Sequence, residues 1–168
     1  MKLNFLKFKT NAVLKKSKAF RSNLPYKQAR TVGVLFSVED KQKHFVIKEF
    51  IKKLEQDEKV VQVLEYMPAR HENYEFKFDF FTEKELSFWG NITSSSANQF
   101  ADAPFDFLFY IDLEPNVFVL NVLARSKAKC RVGKHFDGGE PYLELMIESA
   151  GGIQALIDGM YKYAAQLK

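Results

Sequence analysis

FDFLFYIDL (105–113), followed by VFVLNVLARS (117–126) and KCRVGKH (129–135), is the stretch that decides the fold. The first run is apolar and rich in β-formers, as a strand buried on both faces must be. Glu114-Pro115 is expected to open the next helix, because proline's missing N–H costs nothing at a first helical position. The second run continues that helix and the third reads as another strand. A buried strand, a helix and a second strand make a βαβ unit, hence a parallel sheet covered by helices.

The same alternation extends outward. TVGVLF (31–36) is a short β-branched run suited to a first core strand, and a helix is expected from about His44 to Gln56. Phe45, Phe50, Ile51 and Leu54, with Ile47 beside them, form its apolar stripe. KVVQVLEYM (59–67) and FKFDFFT (76–82) read as further strands, and the serine run at 94–96 starts a short helix to about Asp102. PYLELMI (141–147) is expected as a sixth strand. IQALIDGMYKYAAQL closes the chain as an amphipathic helix with Ile153, Leu156, Ile157, Met160 and Tyr163 inward. The order βαββαβαββα predicts a three-layer, Rossmann-like α/β fold, with a mostly parallel sheet, helices on both faces and a basic amino-terminal helix.

Composition narrows the class. A chain of 168 residues, 46% hydrophobic and 27% charged, is expected to form one soluble domain, here residues 31–168 preceded by an arm, residues 1–30. The single cysteine, Cys130, falls in a core strand and excludes an internal disulfide or a cysteine-based zinc site. No apolar run is an acceptable membrane span, and Lys7 and Lys9 interrupt what a signal peptide would need, so a cytoplasmic location is expected.

The formal charge of +4 is unevenly spread: residues 1–30 hold nine Lys and Arg and no acid, so the remaining chain carries −5. Such asymmetry points to an anionic partner, nucleic acid or a membrane surface, with Lys7, Lys15, Lys18 and Arg21 clustered on one side of a helical wheel. Three readings stay open: a helix packed on the domain, a nucleic-acid contact, or a membrane-surface helix.

Catalytic and cofactor motifs are missing. There is no GxGxxG after TVGVLF and no GxxxxGK[ST], so no nucleotide cofactor is expected. His44, His71 and His135 have no metal-ligand spacing, so no metal is expected either. Ligands of parallel α/β sheets bind at the strand carboxyl ends, which here offer Ser37 and Glu39, Asp112 and Asn116, and His135 and Asp137. Asp112 is expected to cap the following helix or to meet a ligand, and His135 with Asp137 to form an orienting pair or an exposed loop.

Two resemblances rest on these runs. Over nearly its whole length, with VGVLF (32–36), FFTEKELSFWG (80–90) and FDFLFYIDL, the chain resembles a family of small bacterial proteins of unknown function. That implies a fold and no activity. Residues 105–136 are also similar to part of the amino-terminal domain of bacterial heptosyltransferases. There a Gly-Asp turn carries the acidic catalytic residue, whereas Ser37-Val38-Glu39-Asp40 stands here, and no donor domain is expected before the chain ends at Lys168. The sequence therefore favours a non-catalytic binding or interaction module with an anionic or protein partner. The alternative is a small enzyme or metabolite-binding domain at the strand ends.

Overall fold

A computed structural model describes residues 1–22, 24–74 and 77–168. Its strands are β1 (Thr31–Ser37), β2 (Val60–Tyr66), β3 (Asp79–Phe81), β4 (Phe107–Tyr110), β5 (Cys130–Lys134) and β6 (Leu145–Ile147). The α-helices are α1 (Lys2–Leu14), α2 (Lys41–Gln56), α3 (Ser95–Asp102), α4 (Val117–Arg125) and α5 (Ile153–Ala165). All six strands are parallel, in the order β3-β2-β1-β4-β5-β6. This is the doubly wound Rossmann-like order, whose connections change direction between β1 and β4.

The two faces separate by the alternation of side chains along each strand. Val32, Val34 and Phe36 of β1 join Phe107 and Phe109 of β4 beneath α2 and α5, through Ile47, Phe50, Leu54, Leu156 and Met160. On the other face Leu35, Leu64 and Leu108 meet α3 and α4 through Ala97, Phe100, Val119, Val122 and Leu123. Gly33 of β1 lets the sheet meet its cover closely: a Cβ there would lie 2.8 Å from the Phe105 ring. Cys130 is buried at the start of β5.

α1 completes the second face. It packs on α4, with Leu6 fully buried and the Thr10 hydroxyl accepting from Asn121 Nδ2 at 2.9 Å. Gly90, at φ +81°, brings its loop so close to α1 that a Cβ would stand 2.6 Å from the Leu6 nitrogen.

Several boundaries differ from the sequence reading. α2 begins at Lys41, not His44, because the Asp40 side chain caps it by accepting from the Lys43 N–H. Phe45 then points to solvent, while His44 is buried. Pro115 lies before α4, whose cap is Asn116, accepting from the N–H groups of Phe118 and Val119. β6 holds only Leu145–Ile147, and Tyr163 of α5 is exposed where Ala164 is buried. β3 is Asp79–Phe81, and Phe76 of the expected strand lies outside the described residues.

Candidate functional site

At the switch point, β1 and β4 end side by side, and Ser37 and Asp112 meet across 75 positions of sequence. The Ser37 N–H donates to Asp112 Oδ1 at 2.8 Å and the Ser37 hydroxyl to Oδ2 at 2.9 Å. From the first turn of α2, Lys43 Nζ donates to the same carboxylate at 2.6 Å and to the Ser37 carbonyl at 2.7 Å. Lys43 is 3% exposed and Asp112 4%. Glu39, at the rim, reaches within 3.5 Å of Lys43 Nζ. Burial holds the Asp112 carboxyl above the ordinary aspartate range, against the opposing pull of Lys43 and Ser37. The Tyr110 phenol is driven well above its usual value by burial and by the Asp112 charge.

A second buried polar pair lies beside the Phe36 ring. His44 Nε2 is 2.6 Å from Glu65 Oε2, and both side chains are fully buried. The His44 imidazole stands edge-on to Phe36 and is stacked near Phe78. Burial raises the Glu65 carboxyl above its ordinary range, and the His44 contact offsets only part of that.

The remaining candidates do not join this cluster. Asn116 is committed to capping α4. His135 Nδ1 pairs with Glu148 Oε1 at 3.2 Å rather than with Asp137, which is exposed in the turn after β5. The capping role expected of Asp112 belongs to Asn116, four residues later. Among the described residues, no group of three or more His, Cys, Asp or Glu side chains could hold a metal ion. No described helix is long and apolar enough to cross a membrane.

Lys43, His44 and Glu65 were missed in the sequence, though two signals were present. Lysine in the first turn of a helix opposes the helix dipole and calls for a nearby anion. A glutamate in an apolar strand must find a partner once both faces are covered.

The basic residues divide. Lys7, Lys15 and Lys18 are exposed. Arg21 instead donates to the carbonyls of Ser126 and Ala128, at 2.8 and 2.5 Å, tying the arm to the turn after α4. Its guanidinium pKa is lowered to about 10 by burial and by Arg131. Arg131 is itself buried, clamped by Glu144 through bonds of 2.9 and 2.8 Å.

A family model described as a family of unknown function (DUF6913) matches residues 2–167. The chain belongs to that family. The match runs through α1, the six strands and α5 alike. Neither the curated proteins nor the solved structures gave a match.

Proposed function

We propose that this protein is a non-catalytic binding module of the cytoplasm, meeting an anionic partner through residues 1–30, a basic arm laid on the α/β domain of residues 31–168. The observation that carries the reading is how the strand ends are filled. Asp112, Ser37 and Lys43 spend their polar atoms on one another, where Rossmann-like sheets hold ligands. Lys7, Lys15 and Lys18, by contrast, stand in water on a segment with no acidic residue. Replacing these three lysines by glutamate abolishes retention on heparin, and wild-type retention weakens steeply with salt. Retention unchanged by those substitutions overturns the reading.

The second reading is a small enzyme or metabolite-binding domain at the strand ends, in line with the resemblance of residues 105–136 to heptosyltransferases. It is favoured by the concentration there of buried titratable groups, Lys43, Asp112, Tyr110, His44 and Glu65. A thermal-shift screen with NAD, ATP, GTP and nucleotide sugars separates the two. A saturable rise in Tm supports the second reading, since ligand at a hundred times its Kd stabilises by about 2.7 kcal/mol.

A further inference from the structure

The amino-terminal face carries an apolar cluster as well as charge. Phe8 is 72% exposed, Trp89 63%, Phe88 50% and Met1 78%. Trp89 packs 5.8 Å from Phe5 and 5.0 Å from Phe88, so the loop before Gly90 and α1 present one aromatic knob. Beside it lies a shallow depression of about 650 Å³ lined by Asn4, Phe5, Phe8, Lys9 and Trp89. Soluble proteins seldom leave clustered large apolar side chains in water without a use for them. Lys2, Lys7, Lys15 and Lys16 are exposed on the same helix or just beyond its end.

Resting on the amino-terminal binding reading, we infer that the partner is an anionic lipid surface, with Phe8, Phe88 and Trp89 entering the headgroup boundary and the lysines of α1 meeting the lipid phosphates. A Trp ring, with its polar N–H, is at home at that boundary, Phe side chains insert into its apolar side, and clustered lysines are drawn to anionic leaflets. Two features favour lipid over nucleic acid. Every cation in residues 1–20 is a lysine, a point charge suited to diffuse attraction, with no arginine fork for a fixed phosphate. The Phe88 and Trp89 rings meet at 89°, one edge against the other's face, which makes a protruding knob rather than parallel platforms for stacked bases. The family match and the charge asymmetry say nothing of Trp89; its exposure, read with α1 beside it, does.

Trp89 is the sole tryptophan, so it reports its own environment. The full chain is titrated with vesicles of phosphatidylcholine alone, with vesicles containing phosphatidylglycerol, and with poly(U), following tryptophan emission and co-sedimentation. The expected result is co-sedimentation and a blue shift with phosphatidylglycerol vesicles only. Phe8→Ser/Phe88→Ser, at exposed positions, keeps its melting temperature and loses binding by at least about tenfold, and Lys7→Glu/Lys15→Glu loses it by a similar factor. No binding to phosphatidylglycerol vesicles overturns the inference, as does undiminished binding by Phe8→Ser/Phe88→Ser. Tighter binding to poly(U), lost in Lys7→Glu/Lys15→Glu, overturns the lipid assignment but leaves the amino-terminal reading standing. Binding to neither anion overturns both.

Discussion

Replacing Lys43 by methionine keeps the length of the side chain and removes the cation from the clasp between β1, β4 and α2. Its contacts with Asp112 at 2.6 Å, the Ser37 carbonyl at 2.7 Å and Glu39 at 3.5 Å are lost, along with the cation over the Phe36 ring at 5.9 Å. Asp112 remains buried, held by the two Ser37 donors. Breaking a buried pair from one side costs roughly 3–5 kcal/mol. An independent bound comes from proton uptake. Neutralising a carboxyl of ordinary pKa at neutral pH costs about 4 kcal/mol, so the variant loses no more than about that before Asp112 protonates instead. A loss of about 3–4 kcal/mol in a domain of this size lowers Tm by roughly 6–16 °C.

The pH dependence follows from the direction of the Asp112 shift. Its carboxyl is raised in the folded wild type, so the stability linked to its protonation is full below the unfolded pKa and is lost as pH rises through the folded one. Without Lys43 the folded value climbs further and the window widens upward. The stability gap between variant and parent therefore grows as pH rises above the ordinary aspartate range, measured by urea unfolding at each pH. Lys43→Met/Asp112→Asn recovers part of the loss, because the buried charge is gone. A gap below about 1 kcal/mol at neutral pH, or one flat across that range, would refute the clasp.

Three further substitutions test separate parts of the fold. Asn116→Ala removes the cap of α4 and is expected to cost about 1 kcal/mol, while Asn116→Asp is close to neutral; chemical denaturation measures both. Gly90→Ala forces a side chain into a left-handed backbone and against the Leu6 nitrogen, costing about 2 kcal/mol or more, with faster proteolysis of α1 as the second readout. Glu65→Gln deletes a buried carboxyl whose raised pKa favours the folded parent at acid pH, so the variant gains on the parent as pH rises above the ordinary glutamate range.

The sheet was legible because strands buried on both faces write themselves as apolar runs, as β1 and β4 do, while β2 and β5 keep apolar residues around Gln62, Glu65, Arg131 and Lys134. Helix starts were less legible. Glu114-Pro115 looks like an opening, yet Asn116 supplies the oxygen that the first-turn N–H groups need. Lys41, Gln42 and Lys43 look like loop, but Asp40 turns them into the first turn of α2. The clasp itself could not be read from local pattern, because Ser37 and Asp112 are brought together only by the pairing of β1 with β4. Trp89 illustrates the same limit at the surface. Its sequence neighbours do not reveal that α1 lies beneath it, and hence that its ring is held outward.

Cys130 gives the sheet a built-in clock. Its thiol is buried, and its pKa is pushed up to about 12, chiefly by that burial. The thiolate that reacts with alkylating reagents is therefore scarcer in the native protein than in the open chain by roughly a thousandfold at mildly alkaline pH. Labelling of the chain's one cysteine is then slow in the folded state, and adding urea or a ligand changes that rate as it changes how often the thiol is uncovered. Mass spectrometry of the labelled fraction over time follows how often that thiol is uncovered, without any reporter having to be engineered into the sheet.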